Sequence, residues 1–161
     1  MSDRRVSRTV PIIISIVVAL MLAIAPLPGW AEPYRPDWVA LTLIYWSMTL
    51  PQTYSVGSAW LVGLVLDVAQ GTLLGQHALA LSLVIYITVK FHLQFRQFPL
   101  LQLSATVFAL LALHQFILFW INGVVGVNSP VETYWGPVIS STLIWPVLTM
   151  FLAGIHQRAR Q

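Results

Sequence analysis

Ser55, Ala59, Gly63, Asp67, Gly71 and Gly75 fall four residues apart through the apolar centre of the chain, five small residues and one carboxylate. On a helix this spacing makes a ridge that drifts slowly around the axis. Small residues along such a ridge let a second helix approach closely, which is how helices associate in lipid. A carboxylate in the same line must face protein or water, because hydrocarbon does not solvate it. The stripe therefore predicts a helix-packing seam, with Asp67 as its polar member.

The rest of the chain agrees with a helical membrane fold. It has 161 residues, 58% hydrophobic and only 8% charged, with a mean hydropathy of +0.80. A soluble domain carries about 25% charged residues, so this chain cannot cover a globular surface. The length suits a single integral membrane domain over residues 1–161. With no cysteine, disulfides, thiolate catalysis and Cys-based metal sites are excluded. The net charge of +3 does not point to nucleic acid, because the basic residues sit at the ends of apolar runs instead of forming one patch.

The apolar runs cover residues 10–25, 38–50, 55–68, 78–89, 100–121 and 137–153. Arg4, Arg5 and Arg8 precede the first, which looks like a signal peptide with an A-x-A site at Ala23-Ile24-Ala25. Pro26 would follow the cut and hinder it, so an uncleaved helix is expected. The Pro-rich connector 26–36 carries Trp30, Tyr34 and Arg35, an interfacial composition. Pro36 is placed to begin the second helix, and Pro51 ends it after about 14 residues. At 1.5 Å per residue that is ~21 Å, short of the ~30 Å hydrocarbon core.

The fold expected is all-α and polytopic, with about six transmembrane helices. An even count puts Arg4, Arg5, Arg8, Lys90, Arg96, Arg158 and Arg160 on one side with both termini, and leaves Arg35 alone opposite. By the positive-inside rule the termini are cytoplasmic. An alternative keeps the same parity: segments 37–50 and 55–69 form a re-entrant hairpin entered from outside.

Asp67 and His114 reach similar depths along their helices and could form an intramembrane polar pair. The competing reading has Asp67 capping a helix end near water and His114 packed with a backbone partner. His77, His92, His114 and His156 have no i,i+4 partner among themselves, so no metal site is expected. No G-x-S-x-G turn, Lys-ended phosphate loop or paired carboxylates are present, so no catalytic residue and no cofactor are expected. Residues 90–98 place Phe91, Phe95 and Phe98 on one helical face. They read as an amphipathic piece on the cytoplasmic interface, in contact with membrane lipids and favoured by anionic ones.

Three stretches resemble the rod shape-determining protein MreD family. The first is Arg35-Pro36-Asp37-Trp38 followed by Tyr45-Trp46. The second is Gly63-Leu64-Val65-Leu66-Asp67 with Gly71, then Leu74-Gly75 and on to Tyr86. The third is Trp135 followed by Trp145-Pro146. Pro137, soon after Trp135, leaves the start of the last helix open. Hydrophobic order and length agree along essentially the whole chain.

The resemblance implies a small multi-pass protein of the bacterial cytoplasmic membrane, without enzymatic activity, in the cell-elongation machinery. It implies association with the bitopic protein MreC. Through that complex it implies association with the actin-like MreB, the glycosyltransferase RodA and a penicillin-binding transpeptidase. It further implies a fold similar to the substrate-binding membrane subunits of transporters, an analogy that does not establish transport. On this reading Asp67 and the glycines fix helix packing. Arg35 and Asp37 could pair with charges on a partner, with Glu132, or within the protein. The rival function is a small-molecule-binding membrane subunit of a transporter, with Asp67, His114 and Gln115 lining a pocket.

Overall fold

A computed structural model of the chain describes residues 2–158, with side chains from Thr9 onward. The side chains of Arg4, Arg5 and Arg8, and all of Arg160, lie outside the described residues. The described chain is all-helical: α1 (Ser2–Ile24), α2 (Trp38–Thr49), α3 (Val56–Gln70), α4 (Gln76–Lys90), α5 (His92–Gln97), α6 (Leu100–Val125) and α7 (Glu132–Arg158), with a short 3-10 turn at Glu32–Tyr34. Each of the six apolar runs lies in one of the longer helices, and α5 is the amphipathic piece.

The architecture is two helical hairpins, α3–α4 and α6–α7, joined through α4 against α6, with α2 held among α1, α4, α5 and α7. Nine of the twelve residues of α2 are buried, on all sides of the helix. This resolves the length problem raised by Pro51. At 1.5 Å per residue α2 is only ~18 Å long, but protein covers its flanks, so the short helix is not matched against lipid along its own length. Asp37 caps its N-terminus, accepting a hydrogen bond from the Ala40 N–H at 3.4 Å.

α6 and α7 face outward instead. They run 26 and 27 residues, long enough to cross a bilayer, and only 33% and 22% of their most apolar windows are buried. Phe116, Phe119, Trp120, Leu143, Met150 and Phe151 are all exposed. Such a surface is untenable in water and suits lipid. α7 begins at Glu132, so Pro137 and Pro146 both lie inside it.

Arg96 lies near Tyr45, Thr49 and Ala153, and Arg158 shares a groove with Val10 and Pro11. Both therefore sit at the end of the bundle where α2 and α7 finish, away from Arg35. The Phe face of α5 turns inward more than the interfacial reading expected. Phe95 is buried, with ring centroids 6.2 Å from Phe91 and 5.8 Å from Phe98. The helix packs on α2, because the end of that short helix leaves apolar area to cover.

The seam is real on α3. Ala59 and Gly63 are buried, and a Cβ added to Gly63 would strike the Ala78 backbone, 2.6 Å from its nitrogen and 2.9 Å from the His77 carbonyl carbon. The stripe changes character past Asp67. Gly71 and Gly75 have nothing within 4 Å of a Cβ position but take φ of 65° and 99°. They bracket the α3–α4 link in left-handed conformations that favour glycine, so close approach explains Gly63 and backbone geometry explains the other two.

Candidate functional site

The α3–α4 link folds back so that the N-terminus of α4 meets the last turn of α3. Asp67, with no exposed surface, fills that junction. Its Oδ2 accepts from the backbone N–H groups of Gly75 at 2.9 Å and Ala78 at 3.4 Å. Its Oδ1 accepts from the His77 N–H at 3.1 Å and the Thr72 hydroxyl at 3.0 Å. The His77 ring nitrogen Nδ1 lies 2.7 Å from the same oxygen, so the proton on that ring is turned to the carboxylate. A carboxylate at a helix N-terminus satisfies orphan N–H donors and favours the helix dipole. Asp67 thus caps the following helix from the end of the preceding one.

The expected pairing of Asp67 with His114 is not formed. Asp67 pairs with His77, and His114 with Asp37, whose Oδ2 lies 2.9 Å from His114 Nδ1. The α4 N-terminus comes between Asp67 and His114 and presents its donors first. The two imidazoles are neighbours, with ring centroids 6.0 Å apart, so the polar groups run in a string Asp67–His77–His114–Asp37 across α3, α4, α6 and the start of α2. His114 is 1% exposed, and neither of its ring nitrogens makes a well-directed hydrogen bond.

Asp37 is also held by α7 and by a second residue of α6. Its backbone N–H donates to Ser141 Oγ of α7 at 2.7 Å, and Gln115 Nε2 of α6 donates to its Oδ2 at 3.4 Å. Arg35 holds the carbonyl end of α1, where cations are favoured. It donates to Leu22 O at 3.0 Å, to Ala23 O at 2.7 Å and to Ala25 O, and it makes a 3.0 Å ion pair with Glu32. The Arg35–Glu132 pair is absent among the described residues. Glu132 is exposed in the first turn of α7, and Glu32, three residues away in sequence, reaches Arg35 at far lower chain cost.

Of the remaining sequence candidates, Trp145 is fully buried, Pro146 is half-buried beside it, and Trp135 is half-exposed near the start of α7. None of these three joins the polar string. Residues not singled out from sequence carry much of the architecture. His77 supplies three contacts to the Asp67 junction, and its only sequence signal is its place just after Gly75 at a helix start. Gly136 packs so closely on the Pro33 carbonyl that no Cβ fits. Trp46, which belongs to the first stretch quoted from the sequence, donates through Nε1 to Ser15 Oγ at 2.7 Å and ties α2 to α1.

At this end of the bundle the connectors 25–37 and 126–131 and the adjoining helix ends line a half-open polar cavity of about 240 Å³. Asp37, Gln76, His77, Gln115 and Asn122 line its wall, with Glu32 and Arg35 among the residues that complete it. Among the described residues no three His, Asp or Glu side chains are placed to hold a metal ion.

The exposed apolar helices and the sealed polar string together define an all-helical membrane protein. A family model for rod shape-determining protein MreD matches residues 3–155. The Rod shape-determining protein MreD of Haemophilus influenzae is 29% identical over 150 residues, covering 89% of each chain. No solved structure matches the chain. The chain belongs to the rod shape-determining protein MreD family, a family of shape-determining membrane proteins not known as enzymes.

Proposed function

We propose that this protein maintains rod shape as a non-enzymatic, multi-pass component of the bacterial cytoplasmic membrane. It binds MreC and so links the MreB cytoskeleton to peptidoglycan synthesis by RodA and a penicillin-binding transpeptidase. The observation that carries this reading is the family match across almost the entire chain, residues 3–155. Six spans with cytoplasmic termini complete the proposal, on the strength of the basic residues gathered away from Arg35. The polar string would hold the outer end of the bundle in one arrangement and so present a fixed surface to MreC.

The test is complementation of a round-cell mutant lacking its own MreD, with MreC recovery on the tagged chain measured in parallel. Restored rods with MreC in the eluate are expected. Round cells despite normal membrane levels, with no MreC recovered, would overturn the reading. The polar cavity favours a second reading, a small-molecule-binding subunit of a transporter. A ligand released from the purified protein and identified by mass spectrometry would support it.

A further inference from the structure

One residue of the cavity wall carries a buried acceptor that no donor reaches. Gln76, only 5% exposed, lines it with an Oε1 that has no hydrogen-bond partner. Leaving a buried acceptor unmade is costly, so such an atom marks a place where a donor belongs. The neighbouring amides are turned the same way. Gln115 spends its Nε2 on Asp37, and Asn122 donates its Nδ2 to the Tyr134 hydroxyl at 2.9 Å. Each of these amides keeps its oxygen as an acceptor, beside the second N–H of its nitrogen. His77 donates from Nδ1–H to Asp67, and in that neutral tautomer its Nε2 is an acceptor.

Charge points the same way. The ionised groups lining the cavity are Glu32, Asp37 and Arg35. Arg35 is already satisfied by Glu32 and by three carbonyls at the end of α1. The Asp37 carboxylate lies beside the His114 ring and accepts from Gln115 and the Ala40 N–H, and no Lys or Arg pairs with it among the described residues. A cavity of about 240 Å³ holds one side-chain-sized group, not a drug-sized ligand.

We propose that this cavity, with the unpartnered Gln76 oxygen and the Asp37 carboxylate in its wall, binds the guanidinium or ammonium group of an organic cation. Two sources carry that group, a free amine or a basic side chain that a partner protein presents at the outer membrane face. The site gives a ligand class to the cavity of the second reading above, and purified protein alone tests it, independently of MreC binding.

The probe is agmatine, which carries both groups, titrated into the full chain purified in detergent and read by melting temperature and calorimetry. N-butylurea is the neutral control. Saturable agmatine binding that raises the melting temperature, without a response to N-butylurea, is expected. Gln76→Leu removes the orphan acceptor, so the unliganded variant should melt at or above the wild-type temperature while binding agmatine about tenfold more weakly. Asp37→Asn is the second variant and should weaken agmatine without altering the response to N-butylurea.

The partner arm compares MreC recovery on wild type and Gln76→Leu. Reduced recovery on the variant, with release from wild type by agmatine, assigns the group to a partner side chain. Agmatine binding with equal MreC recovery assigns it to a free amine. No saturable binding to wild type, or binding unaltered in both variants, overturns the proposal. Failure of wild type to recover MreC would count against the proposed function and leave the agmatine result standing.

Discussion

Gly63 of α3 lies directly on the backbone of Ala78 in α4, one turn before the point where Asp67 receives the Ala78 N–H. The absent side chain and the buried carboxylate are parts of one junction. Without the close approach at Gly63, the α4 N-terminus would stand too far from Asp67 for its donors to be satisfied.

Gly63→Ala is therefore expected to destabilise the protein by about 1–3 kcal/mol, the range for overpacking, because the obstacle is backbone and cannot rotate away. Gly57→Ala on the same helix has only the Ser55 hydroxyl nearby, at 3.7 Å, and serves as the tolerated control. Melting of the detergent-solubilised variants, with membrane levels by immunoblot, checks the difference. Equal melting temperatures would place the seam elsewhere.

Gly71→Ala and Gly75→Ala should each cost about 1–2 kcal/mol through the left-handed backbone, with no steric contribution. Asn at Gly71 should recover part of the loss, since Asn visits that region more readily. A Gly63 variant would gain nothing from the same exchange, which separates backbone geometry from packing.

At Asp67, Asn should do better than Ala but fall short of wild type. Asn keeps one acceptor oxygen for His77 and Thr72, yet sets its NH₂ against the Gly75 and Ala78 N–H groups that Oδ2 now receives. Ala leaves all of those donors buried and unpaired, at about 1–3 kcal/mol each. Complementation of a round-cell mutant, normalised to membrane abundance, should rank wild type above Asn above Ala. An Asn variant inserted at wild-type level yet inactive would mean that the charge serves function and not the junction.

Arg35→Lys should behave nearly as badly as Arg35→Ala. The guanidinium bonds two carbonyls of α1, the Ala25 carbonyl just past it, and Glu32 at once, a fork geometry that an ammonium cannot reproduce. Protease protection of the α1–α2 connector reports the loss. Full protection in the Lys variant would reduce the role to simple charge.

Reporter fusions after Gln161 and within residues 94–97 should read cytoplasmic, and those within residues 126–130 periplasmic. A periplasmic C-terminus would invert the bundle and place the polar cavity on the cytoplasmic side.

The positions of the helices were legible because apolar runs, prolines and glycines act over a few residues. The seam was legible on α3 as far as Asp67, where the stripe predicts close approach and Gly63 makes it. Its last two glycines turn the chain instead of packing, and sequence spacing does not distinguish a small residue that is touched from one that is bent. The outcome at Gly136 was hidden for another reason: its neighbour, the Pro33 carbonyl, belongs to a connector more than 100 residues away.

The sequence by itself determined that this chain lives in a membrane, is helical, and must hide Asp67. Those follow from transfer free energies and helical periodicity, which are properties of residues and short segments. Only the tertiary structure decided who would solvate the carboxylate. The choice between His77 and His114 depends on how the α3–α4 link turns, and the pairing of Asp37 with His114 on how α2 lies against α6. Depth along a helix can be read from residue number. The azimuth and approach of a second helix cannot, because they are set by the packing of all the others.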